Sequence, residues 1–263
     1  MPANKKTAAP AVPRKRGRPP RVESPIDAEA ALSRAAILAR AIALSRLMPL
    51  DQISMAQLAR EFGVVPGLIH YYLGGRDALV SGVLNNYYRE RLARMPALTG
   101  QWRADIETIA RISLEVAREN PGVSVYVATH NRFRLFQDVD PGETDYGAAF
   151  FNHVTLAFMQ GGFTADAVAL AYHLLAQFLV ASNRAEAANQ LPVQHREFIL
   201  QRLESMPADD YPGARFVSHA FAGLDAERAF DVGLQILLDG IALWQPDQPQ
   251  RRPAKQSASR RGT

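Results

Sequence analysis

The stretch SMAQLAREFGVVPGLIHYYLGG, residues 54–75, decides the fold. Ser54 is a residue type that caps helices, and Met55, Leu58, Ala59 and Phe62 follow it on one helical face. Gly63 is placed to stop that helix in the left-handed conformation. Pro66 stands where the first residue of a second short helix belongs, and that helix runs through Leu68, Ile69, His70, Tyr71 and Tyr72. Gly74-Gly75 breaks the chain again. Two short helices joined by a glycine turn form a helix-turn-helix when a preceding helix covers their shared apolar side. Small Ala59 lets the pair approach, and Leu58, Phe62, Val64 and Ile69 build its core. Leu68, His70, Tyr71 and Tyr72 are then expected outward, aromatic and hydrogen-bonding rather than charged. The same pattern also fits an ordinary αα-hairpin in a helical bundle.

Working outward, the flanking segments have helical periodicity too. Ile37, Ala41, Leu44 and Met48 make one amphipathic stripe, with Ser33 as its expected cap (or an earlier start at Ser24-Pro25-Ile26-Asp27) and Pro49 as its end. A long helix is expected from Arg76 to Met95, with Leu79, Val80, Val83, Leu84, Tyr87 and Leu92 inward. Further helices are expected through Ile106 to Ala117, ending at Asn120-Pro121-Gly122, and over Val123–Phe136. A turn follows at Asp140-Pro141-Gly142. The remaining helices are expected over Thr144–Gln160, Thr164–Ala187, Pro192–Met206 and Ala226–Trp244. No strand alternation and no repeat period appears, so the expected class is all-α.

The 263 residues include no cysteine, which excludes a disulfide scaffold, a thiol nucleophile and a cysteine-ligated metal. Charge is segregated along the chain. Residues 1–27 carry seven Lys or Arg against Glu23 and Asp27, and residues 246–263 carry five against Asp247. Between these tails there is no lysine. Residues 28–95 hold eight Arg against five acids, whereas residues 96–245 hold ten against eighteen. A basic front on an acidic rear suggests a polyanion-binding end joined to a part that must avoid polyanions. Both tails are poor in large apolar residues and are expected to be disordered in isolation. No signal peptide is expected. The longest apolar stretch, Ala167 to Asn183, carries His173 and Gln177 and reads better as a helix buried in protein than as a membrane span. A cytoplasmic protein without a membrane partner is expected.

No enzyme is expected. The six histidines lack the His-Glu-x-x-His metal spacing, and neither a phosphate-cradling glycine loop nor a Gly-x-Ser-x-Gly elbow occurs. No catalytic residue, metal site or cofactor is therefore assigned.

The stretch from Leu32 to Leu92 resembles the DNA-binding domain of the tetracycline-repressor family of bacterial transcriptional regulators. The likeness covers the capped first helix, Ser54 opening the second, Leu58-Ala59, Gly63-Val64, the short recognition helix, and then a cation and Leu79 opening the fourth helix. MPADDYPGARF (Met206 to Phe216) and FDVGLQILLDGIALW (Phe230 to Trp244) resemble the family's effector-binding domain. Together these cover residues 32–244. The family usually has Tyr at the place of His70, Phe or Val at Leu73 and Lys at Arg76, and it often has Ser-Lys or Ser-Pro where this chain has Val65-Pro66.

The resemblance implies an organisation: a basic tail over 1–27, a DNA-binding domain over 28–95, a ligand-binding and dimerisation domain over 96–245, and a second basic tail over 246–263. It implies that Ser54 bonds a phosphate from a helix N-terminus. Leu68, His70 and Tyr71 would face base edges, while Tyr72 and Arg76 would hold the backbone; loss of Arg76 would then flatten the salt dependence of binding. In the tail, Arg16-Gly17-Arg18-Pro19 has the core of an AT-hook, so Arg16 and Arg18 are minor-groove candidates. Candidate lining residues for a small apolar or aromatic effector are Trp102, Tyr126, His130, Phe133, Phe150, Phe151, His153, Phe158 and Tyr172. A homodimer is implied, its four-helix interface using Leu174, Phe178, Leu234, Leu237, Ile241 and Trp244, with Gly233 and Gly240 permitting close approach. The function so read is a sequence-specific regulator on a palindromic operator, a repressor released by its effector. The alternative is a dimeric helical protein that binds nucleic acid nonspecifically, without effector control.

Overall fold

The computed structural model describes residues 32–130 and 134–246. The basic tails, with Arg16 and Arg18, and Phe133 lie outside the described residues. Eleven α-helices and no strand occur among those described.

The front of the molecule follows its local signals. Helix α1 (Arg34–Ser45) opens on Ser33, whose Oγ accepts from the Ala36 N–H at 3.1 Å. A 3₁₀ turn, Leu50–Gln52, follows Pro49. Helix α2 (Met55–Phe62) is capped by Ser54, whose Oγ accepts from the Gln57 N–H at 3.0 Å, and it stops at Gly63 with φ of 68°. Helix α3 (Pro66–Leu73) has Pro66 in its first turn and no side-chain cap from Val65. Helix α4 (Arg76–Arg94) then runs away from this unit. Ile37, Ala41, Leu44, Leu58, Ala59, Ile69, Leu79 and Leu84 close a core in which each is at least nine-tenths buried.

The rear is a helical bundle: α5 (Trp102–Glu119), α6 (Pro121–Thr129), α7 (Tyr146–Gln160), α8 (Ala165–Ala187), a 3₁₀ turn Pro192–His195, α9 (Arg196–Glu204), α10 (Pro212–Ala222) and α11 (Ala226–Ala242). Asp145, Thr164 and Asp225 cap α7, α8 and α11 with their side-chain oxygens. Helices α4, α5, α7 and α8 pack on one another, and α11 packs on α8.

Three expectations are corrected here. The helix expected over Val123–Phe136 starts earlier and stops at Thr129, with His130 extended. Pro121 cannot lie inside a helix but suits its first turn, so it ends α5 and opens α6. The helix expected over Pro192–Met206 divides into the 3₁₀ turn and α9. No helix was expected between Met206 and Ala226, but Pro212 begins helix α10.

Helix α6 presses directly on the front unit. A Cβ on Gly122 would lie 2.0 Å from the Met48 carbonyl oxygen and 2.4 Å from that of Ser45, so only glycine admits this approach. Both α4 and α6 thus touch the helix-turn-helix unit and the bundle behind it.

The apolar stretch Ala167 to Asn183, expected to be a helix buried in protein, is only partly covered within one protomer. Ala169, Leu170, His173, Gln177 and Ala181 leave an exposed stripe along α8. By length and composition this part of the chain could cross a membrane, and most of its apolar window is unburied. On α11 the exposed stripe is Val232, Ile236 and Gly240, continued by Leu243 just past its end, at helical spacing.

Candidate functional site

Two sites emerge, one on the surface of α3 and one inside the bundle. On α3, Ile69 and Leu73 are buried against α1 and α2, which fixes which side faces out. His70 and Tyr71 project outward, and Tyr71 is 80% exposed with its ring edge-on to Tyr72 at 5.4 Å. Val65, Pro66 and Gly67 complete an exposed, uncharged N-terminal end of the helix. Ser54 is exposed at the start of α2; its oxygen is used in the cap, and its O–H remains available to donate to a phosphate.

Three surface expectations are revised. Leu68 and Tyr72 are half-buried and pack against the core rather than facing outward. Arg76 does not reach into solvent. Its guanidinium donates to the Leu50 carbonyl at 2.6 Å and to that of Ile53, clamping the start of α4 to the 3₁₀ turn beside α2. We therefore expect Arg76→Ala to lower stability by about 1–3 kcal/mol by orphaning part-buried carbonyls, while leaving the slope of log affinity against log salt unchanged. A thermal melt and a salt titration of DNA binding check both halves.

Behind this unit, a cavity of about 270 Å³ lies among α4, α5, α6, α7 and α8. Its apolar wall includes Ile109, Leu114, Phe150, Val154, Leu175 and Leu179, and its polar groups include Tyr87, Tyr88, Arg91, Tyr126, His130, Arg134, Tyr172, His173 and Asn183. Arg91 is 8% exposed, and its guanidinium lies 4.1 Å from the Phe150 ring centroid, 5.4 Å from Tyr87 and 5.7 Å from Tyr88. Arg134 reaches from the cavity to Asp77 in the first turn of α4 at 3.0 Å. Burial raises the Tyr172 phenol to about 12 and pushes Tyr88 higher still, with the Arg91 charge opposing both. Both phenols therefore stay protonated at neutral pH.

The C-terminal part, residues 95–244, matches the family model described as the tetracycline repressor-like C-terminal domain. That is more than half of the chain. The protein belongs to the tetracycline-repressor family of DNA-binding transcriptional regulators.

Relatives of known name agree with this membership. A stretch of 60 residues is 37% identical to the HTH-type transcriptional regulator BetI of Brucella anthropi, covering 23% of this chain and 31% of that protein. The BetI of Brucella suis biovar 1 is 38% identical over 60 residues, covering 23% of this chain and 30% of that one. The match thus spans under a third of these relatives' length. Among solved structures, the family protein ActR of Streptomyces coelicolor in complex with (S)-DNPA superposes with a TM-score of 0.67 at 20% identity, over 82% of this chain and 99% of that one. Its complex with actinorhodin gives 0.66 at 21% identity, over 81% and 97% of the two chains.

Within this family member, Tyr126, His130, Phe150 and Tyr172 line the cavity, and Trp102, Phe151, His153 and Phe158 do not. Trp102 and Phe158 stack with Phe163 in a separate packed cluster, at centroid separations of 4.9 to 5.9 Å. Phe151 packs against Tyr172 and Phe136 outside the cavity. His153 also lies off it, with a buried Nε2 that lacks a hydrogen-bond partner and with burial lowering its pKa. Sequence reasoning missed Tyr88, Arg91, Arg134, His173 and Asn183 and placed Tyr87 only as an inward residue. The pair Tyr87-Tyr88 followed by Arg91 was the available signal, since positions i and i+4 share a helix face.

The expected interface also shifts. Leu234 and Ile241 are fully buried inside the protomer, and Phe178 packs on Phe230 at 5.3 Å. Gly233 serves that internal contact, because a Cβ there would lie 2.7 Å from the Phe178 ring. Leu174 and Leu237 are half-buried, Trp244 is 37% exposed, and Gly240 faces open space.

Proposed function

We propose that the protein regulates transcription as a homodimer on a palindromic operator, with residues 28–95 binding DNA and residues 96–245 binding an effector and the second copy. His70 and Tyr71 would read base edges in the major groove, the N-terminal end of α3 would approach the backbone, and Ser54 would donate to a phosphate. The observation that carries this reading is the outward, uncharged aromatic face of α3, held in place by a core that consumes its other side.

The dimer reading rests on the paired stripes of α8 and α11. Helices with one uncovered apolar side need a partner for it, and two copies related by a two-fold axis would cover both stripes in a four-helix bundle. His173 and Gln177 within the stripe favour a protein partner over lipid.

The control reading rests on α4 and α6, each of which lines the cavity and also contacts the DNA-binding unit. An effector that fits the cavity better in one spacing of the two α3 helices than in another would shift the population and release the operator, which is repression relieved by ligand.

A gel shift on the DNA upstream of the protein's own gene tests the reading. A discrete complex that survives nonspecific competitor supports it. A smear that competitor erases would favour nonspecific binding.

A further inference from the structure

We propose that the cavity takes an organic carboxylate whose anionic group is forked by Arg91. The inference rests on the cavity being the effector site and names the chemistry of that effector.

Arg91 is a buried cation whose Nε has no hydrogen-bond partner and whose guanidinium forms no ion pair among the described residues. Burying an unpaired charge is expensive, and acids are plentiful nearby. Arg94, one turn along α4, is gripped by both oxygens of Glu119 at 2.7 and 2.5 Å. Arg103, Arg111 and Arg118 on α5 pair with Asp239, Asp231 and Glu186. Arg91 alone of these five points into the cavity, and no Asp or Glu lines that cavity. Three aromatic rings lie against its guanidinium, and rings do not use up its N–H groups, which match a carboxylate in two parallel hydrogen bonds.

The other polar groups agree with a single negative charge. The Ser113 and Ser124 hydroxyls donate to the Ile109 and Ala117 carbonyls at 2.6 and 2.9 Å, so these donors are already engaged, and Arg134, whose buried Nε also lacks a partner, has its charge paired with Asp77 through one Nη. The protonated phenols of Tyr88 and Tyr172 can donate to an anion but cannot bring a charge of their own. The apolar remainder of the wall suits a compact aromatic or branched body rather than a polyanion.

The test is calorimetric titration of the full-length protein with matched acid and amide pairs, benzoate with benzamide and 2-naphthoate with 2-naphthamide. We expect at least one acid to bind about tenfold or more tightly than its amide. Arg91→Gln should remove that preference without weakening the amide, and Arg91→Lys should retain part of it. The proposal is overturned if neither acid outbinds its amide in the unaltered protein, whether both bind equally or not at all. It also falls if the preference persists in Arg91→Gln. Should that variant fail to fold by circular dichroism, the comparison in the unaltered protein decides alone. A gel shift with the bound acid separates the two readings: an acid held through Arg91 that leaves operator affinity unchanged upholds the carboxylate site and contradicts effector control.

Discussion

Replacing His70 and Tyr71 together by alanine should lower operator affinity about 100-fold or more at fixed salt while leaving the melting temperature unchanged. Each base-edge contact contributes about 1–3 kcal/mol of discrimination, and both side chains are exposed, so the folded state loses little when they are truncated. Leu68→Ala makes the contrast. Leu68 packs against the core, so its loss should lower the melting temperature and reduce binding to all sequences alike. Fluorescence anisotropy on operator and scrambled duplexes, with a melt of each variant, separates the two behaviours. If the double variant bound the operator as tightly as the parent, α3 would not be the reading helix.

The second large effect is expected at the centre of the α11 stripe. Ile236 is 67% exposed in the protomer, and Ile236→Glu would bury an unpaired carboxylate twice at a two-fold interface. The variant should sediment as a monomer with unaltered helical content. Its operator affinity should fall by about 10²–10⁴, because the second half-site is no longer bound intramolecularly. A variant that stayed dimeric would mean that the stripe is covered by something other than a second copy.

These outcomes depend on features that differ in how far sequence reveals them. The caps at Ser33 and Ser54 and the stop at Gly63 were legible because each is a local hydrogen-bonding or backbone requirement satisfied within a few residues. Helix α10 was hidden because Pro212-Gly213 suits both a turn and the first turn of a helix. Arg91 was hidden for another reason. Periodicity tells which side chains face inward but not whether the inside is packed or hollow, and the cavity depends on how five helices sit together. Trp102 and Phe158 met packed neighbours, whereas Tyr88 and Arg91 met space. Arg76 shows the same limit at the surface: a cation beside a recognition helix reads as a phosphate contact until the Leu50 and Ile53 carbonyls are seen to hold it.

Hydroxyl-radical footprinting of the full-length protein on its own upstream DNA tests the paired-helix account most directly. The account predicts two protected patches on one face of the duplex, centred about one helical turn, roughly 10 base pairs, apart or a multiple of that, and related by a two-fold axis. A single protected patch without symmetry, or uniform protection along the fragment, would contradict it.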